Sequence, residues 1–146
     1  MTKMIFVNLP VTDLKASIAF YKAIGCEQNL QFSDDNAASM MWSDTIVFML
    51  LTRQYYQTFT PKPLGDPKVN TLALISLSFD SREAVDAIVA AAAANGGKAD
   101  PSEIQDLGFM YGRSFEDPDG HGFGPVYMDM SALPEQGPEH GATQTA

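Results

Sequence analysis

Basic residues are scarce in this chain: nine Lys and Arg stand against 18 Asp and Glu, for a net charge of −9. Phosphate backbones and anionic bilayers are repelled by such a balance, and no local cluster of Lys and Arg offsets it, so neither a nucleic acid nor a membrane is expected as a partner. Cysteine is limited to Cys26, which excludes an internal disulfide and agrees with a reducing, cytoplasmic setting. With no histidine placed beside it, Cys26 reads as a small packed residue. The longest apolar run, the Ala-rich stretch around Val89 to Ala94, is far short of the roughly 20 residues that cross a bilayer, and the first residues carry no charged-then-apolar signal pattern. Also missing are a Gly-rich phosphate loop, a Cys-x-x-Cys pair and a Ser/His/Asp order, so no catalytic residue is assigned.

What is present is a duplication. With 146 residues, 45% of them apolar, the chain can bury one real core. Ile5 to Val11 alternates as a strand and leads through Thr12-Asp13 into a helix whose Leu14, Ile18 and Tyr21 share one face, with Asp13 as its N-cap. About 68 positions later Leu74 to Phe79 repeats the alternation and enters a second helix through Asp80-Ser81-Arg82-Glu83, a start of capping-box type. Val7 matches Ile75, Val11 matches Phe79 and Phe20 matches Ile88, while Gly25 and Gly96-Gly97 end the two helices. Extended segments follow in both halves: Met40-Met41-Trp42 and Ile46 to Leu51 in the first, Met110 to Glu116 and Phe123 to Met130 in the second.

Both halves therefore read as βαβββ. The expected organisation is one domain over residues 1–130, with module one at about 3–56, a Pro- and Gly-bearing linker at about 57–70 and module two at about 71–130. A short helical turn at Gln54-Tyr55-Tyr56 precedes the linker, and residues 131–146 read as a flexible tail.

Two consecutive βαβββ units, a strand entering its helix as Val-x-Asp-Leu, and a last hairpin turning on Asp117-Pro118-Asp119-Gly120 resemble the vicinal-oxygen-chelate superfamily of glyoxalases, bleomycin-resistance proteins and extradiol dioxygenases. Val7 to Val11, Met49 to Thr52 and Gly108 to Phe115 are similar to a bacterial subgroup labelled glyoxalase-like or predicted lactoylglutathione lyase. The resemblance implies an α+β fold in which the two modules form a curved mixed-sheet half-barrel with a concave cleft, commonly completed by a second copy in a homodimer. It also implies metal ligands on the first and last strand of each module. These positions fall at Phe6, at Leu50 with Met49 as the one-residue alternative, at Leu74, and at Gly124, where the subgroup often carries a glutamate. None offers a histidine nitrogen or a carboxylate oxygen, so no metal and no other cofactor is expected there.

Strand parity then lists the cleft. If Phe6 points inward, Asn8 and Pro10 do too, and in the repeat so do Leu74, Ser76 and Ser78. Phe6, Phe48, Leu50 and Leu74 read as an apolar floor or as core. Treating Asp117 to Gly120 as the whole loop pairs Arg113 with Gly124 and Tyr111 with Val126. Arg113 would face the vacated metal position as a partner for an anion, or else close the barrel through an internal ion pair, or turn outward at a bulge. Tyr111 and Asn8 could orient a ligand or satisfy local backbone. Trp42 could stack on a flat ligand or cap the core. His121 reads as exposed turn, His140 as part of the tail, and Asp117 and Asp119 as turn residues. The expected function is a binding protein for a small organic ligand, an anionic one included, in a cleft without metal ligands. The alternatives are a glyoxalase-type lyase or dioxygenase with a displaced metal, and a dimer whose cleft its own side chains fill.

Overall fold

A computed structural model describes residues 2–132; the predicted tail beyond Ala132, with His140, lies outside the described residues. The first unit runs β1 (Ile5–Val11), α1 (Leu14–Ala23), β2 (Glu27–Asn29), β3 (Ala37–Met41), β4 (Ile46–Thr52) and a single-turn α2 (Arg53–Tyr56). The second runs β5 (Leu74–Phe79), α3 (Arg82–Ala94), β6 (Lys98–Ala99), β7 (Gln105–Asp106), β8 (Met110–Gly112), β9 (Phe115–Glu116) and β10 (Gly122–Met128). Each helix starts where a side chain satisfies a free backbone N–H: Asp13 accepts from Ala16 and Ser81 from Ala84.

The two sheets repeat one topology. In the first, of four strands, the order is β1-β4-β3-β2, with β1 and β4 parallel. In the second, β5 lies parallel to β10, β8 and β9 follow one another along the other side of β10, and β7 and β6 lie outside them. The fold is thus α+β, built from tandem βαβββ units with curved sheets.

Register fixes which side chains meet the helices. Val7 pairs with Phe48 and Leu9 with Leu50, and these face the same side as α1. In the repeat Ile75 pairs with Phe123 and Leu77 with Pro125. The helix-facing sides of both sheets share one core with α1 and α3, in which Phe20 and Tyr21 meet Phe48, Phe115 and Phe123. Phe115 and Phe123 stack with centroids 5.0 Å apart. Trp42 meets Phe79 edge-on at 5.9 Å on this side, so it caps the core. Because the core takes one face of each sheet, the opposite concave faces are left open.

The Asp117-to-His121 turn does more than reverse the chain. Asp117 Oδ1 accepts from the N–H groups of Asp119, Gly120 and His121, while its Oδ2 accepts from the Tyr21 phenol. Asp119 reaches back to Thr12, accepting from its N–H at 2.9 Å and its hydroxyl at 2.7 Å. Instead of lying exposed, His121 is half-buried with Nε2 2.8 Å from the Pro10 carbonyl. Gly120, at φ +103°, lets the backbone of Pro67 and Lys68 approach to where a Cβ would sit only 2.9 Å away. The turn therefore ties module two to module one and to the linker.

Candidate functional site

On β1 the alternation expected from the sequence holds. Leu9 and Val11 are buried, while Phe6 and Asn8 lie exposed on the concave face. Their neighbours across the parallel pair are Val47 for Phe6 and Met49 for Asn8. In the second sheet Leu74 and Ser76 lie beside Gly122 and Gly124, again on the concave side. Five of the nine expected cleft residues, Phe6, Asn8, Leu74, Ser76 and Gly124, thus occupy concave faces.

The other four do not. Phe48 and Leu50 are fully buried in the core, because β4 is apolar on both faces and its parity is reversed from the expected one. Met49 takes the concave position. The last hairpin is slipped by one residue: Glu116 pairs with Gly122, not His121, and Tyr111 pairs with Tyr127, not Val126. A one-residue slip reverses every side chain. Arg113 consequently bonds through its N–H to the Pro125 carbonyl and turns its guanidinium to the helix side. There it forms a two-pronged ion pair with Asp100, at 3.1 and 2.6 Å, and reaches Asp86 on α3 at 2.9 Å. Tyr111 donates to the same Asp86 oxygen at 2.6 Å. The expected facing of Arg113 and Gly124 is therefore corrected: the guanidinium lies on the helix side in ion pairs with Asp100 and Asp86, turned there by the register of the hairpin and not by a bulge.

The strand positions also decide how well the chain suits the metal implied by the resemblance. After the β4 correction they are Phe6, Met49, Leu74 and Gly124, with Asn8 and Ser76 beside them. A divalent ion exchanges its water for imidazole or carboxylate, and here it would meet a ring, a thioether, an aliphatic chain and an empty glycine. Among the described residues no group of three or more His, Cys, Asp or Glu side chains could hold a metal. The residues do not fit that ion.

What the concave face of the first sheet does hold is a cavity of about 530 Å³. Its floor comes from Asn8, Met49 and Leu51, with Ala37 leaving room beside them. The walls come from outside the strands. Phe32 lies in a 3-10 turn, Leu30–Phe32, that Asn29 caps by accepting from Gln31. Tyr55 and Tyr56 belong to α2, and Phe59 to the 3-10 turn Gln57–Phe59 that follows it. Tyr55 and Phe59 meet edge-on at 5.1 Å. Strand parity could not find these walls, since none is on a strand. Asn8 and Tyr56 also border a second cavity of about 380 Å³, closed by the linker and by His121.

Comparison with known proteins agrees with this geometry. A hypothetical protein, SA1046, from S. aureus superposes with a TM-score of 0.73 at 28% identity, over 87% of this chain and 95% of that one. A glyoxalase/bleomycin resistance protein/dioxygenase family enzyme from Burkholderia phytofirmans PsJN gives 0.70 at 19% identity, over 87% and 99%. The fosfomycin resistance protein FosX from Listeria monocytogenes gives 0.64 at 20%, over 90% and 97%. The latter two are similar in fold alone. Among curated proteins, none matches. The family model described as "Glyoxalase/Bleomycin resistance protein/Dioxygenase superfamily" matches residues 3–124. The chain belongs to the glyoxalase/bleomycin resistance protein/dioxygenase superfamily.

Proposed function

We propose that this protein binds a small organic molecule in the concave cavity of its first sheet, with no metal at the strand positions. The observation that carries the reading is the cavity itself: about 530 Å³, walled by aromatic rings and carrying a few polar groups such as Asn8. Its volume falls within the range typical of small-molecule sites, and apolar and aromatic walls interrupted by polar groups, here Asn8, Gln31, Ser33, Asp34 and Thr60, are what such sites use. Selection of an anion loses its basis, since it depended on Arg113, which is engaged with Asp86 and Asp100.

The working unit is a homodimer. Phe6 and Leu74 are 56% and 75% exposed on the concave faces, apolar surface that a second copy would remove from water. Ligand binding is tested by thermal shift against a panel of small acids, thiols, aromatic compounds and amines, with elemental analysis of the untagged protein alongside. A ligand specific to the native state raises the apparent melting temperature in proportion to its saturation. The reading predicts at least one dose-dependent shift and far less than one tightly held divalent ion per chain. A panel without any shift would contradict it.

A further inference from the structure

We infer that the cavity on the first sheet takes a flat aromatic molecule that is uncharged or positively charged, and turns away carboxylates and phosphates. This deepens the function proposed above and rests on it.

Flatness follows from the walls. Phe32 and Phe59 are 64% and 65% exposed, yet both line a concavity instead of lying scattered on the surface. Rings held open in this way retain the gain from covering their faces, and a planar molecule covers most area while ordering fewest torsions of its own. The edge-on contact of Phe59 with Tyr55 fixes that wall before a ligand arrives. The sheet supplies the other side through Met49 and Leu51, whose thioether and aliphatic groups also suit a π-face.

Charge follows from which side chains reach the cavity. No Lys, Arg or His lines it, and its single carboxylate is Asp34. Asp34 Oδ1 accepts from the N–H groups of Asn36 and Ala37, which fixes the carboxylate, while Oδ2 takes no hydrogen bond among the described residues. On the other concave sheet the inward positions of β5 and β10, which are Leu74, Ser76, Ser78, Gly122, Gly124 and Val126, carry no cation, while the outer strand β6 places Lys98 on the same face beside Glu116. A second copy laid across the cavity through β5 and β10 would therefore not supply one. An anion entering would lose water beside a carboxylate and gain no cationic partner, whereas a cation finds both aromatic faces and Asp34.

The test uses three bicyclic probes of one shape and three charges, measured by equilibrium dialysis on the intact chain: 1-methylquinolinium, quinoline and quinoline-2-carboxylate. The expected order is cation at or above the neutral probe, with the carboxylate weaker by about tenfold or more. Asp34→Asn, which keeps the Oδ1 acceptor for Asn36 and Ala37, lowers cation affinity about threefold and leaves quinoline unchanged. Phe59→Ala, at an exposed position, weakens cation and neutral probe alike by about tenfold. A carboxylate that binds as tightly as quinoline overturns the inference, as does an Asp34→Asn protein with the cation-to-neutral ratio of wild type, or no binding of any probe. In all three cases the broader reading stands or falls separately, on the panel of acids, thiols, aromatics and amines.

Discussion

The phenol of Tyr21 donates a 2.7 Å hydrogen bond to Asp117 Oδ2, joining the helix of module one to the last turn of module two across 96 positions of sequence. Both groups are buried, and burial together with the neighbouring carboxylate pushes the phenol well above its ordinary value, so it remains a donor. Tyr21→Phe should cost about 1–3 kcal/mol, because Asp117 loses a partner it cannot replace with water. Asp119→Ala should cost a similar ~1–3 kcal/mol by stranding the Thr12 N–H and hydroxyl. Urea unfolding checks both, and the double variant should be less than additive since the two residues serve one clamp. Asp35→Ala, on an exposed residue, is the control, expected within about 0.5 kcal/mol of wild type.

Arg113 is a stability residue on this account. Arg113→Ala should lower stability by about 1 kcal/mol, since the pair with Asp100 is only partly buried, and leave probe binding unchanged. The pH dependence has a definite sign. The Tyr111 phenol and then the Arg113 guanidinium hold the Asp86 carboxyl below its usual value of 3.8. A carboxyl lowered in the folded state stabilises at pH above its unfolded value and ceases to as pH falls through its folded value. The gap between wild type and Arg113→Ala should therefore narrow on acidification below about pH 4, as read by thermal unfolding from pH 7 to pH 2.5.

Cys26 is 7% exposed, and burial pushes its thiol up to about 12. A thiol in that state is almost wholly protonated near pH 8 and is a poor nucleophile. A disulfide dye should leave the native protein unlabelled at pH 8 and titrate one thiol per chain in urea. Rapid labelling of native protein would show that the residue is accessible.

If a second copy covers Leu74, then Leu74→Asp should weaken dimerisation by at least tenfold in sedimentation velocity, because a carboxylate would be desolvated without a partner. An exposed side chain of this kind contributes little to the monomer's own stability, so unfolding should change little. Unchanged sedimentation would move the interface elsewhere.

How far the sequence could be read depends on which residues carry a pattern. Val7 to Val11 and Ile75 to Phe79 alternate, so their faces were legible, and the helix starts at Asp13 and Ser81 follow from capping chemistry. Ile46 to Leu51 is apolar throughout and offers no alternation to read, which is why Leu50 and Met49 exchanged places. The last hairpin differs in register because Asp117 N–H bonds to the His121 carbonyl, closing a five-residue turn where the sequence predicts four. That one bond moved Tyr111 and Arg113 to the helix side. The cavity walls Phe32, Tyr55 and Phe59 sit on 3-10 turns and a single helical turn, where neither period marks a face. The Asp119 contacts span 107 positions, a distance that local pattern does not encode.

The cavity on the first sheet is proposed to hold its ligand without a metal. The most direct measurement takes the strongest hit of the small-molecule panel and determines its affinity by calorimetry before and after exhaustive dialysis against a chelator, with Tyr56→Ala alongside. The same affinity is expected before and after chelation, with a loss of about tenfold in the Tyr56 variant, whose ring borders the cavity. Binding that disappears with chelation and returns on adding a divalent ion would contradict it.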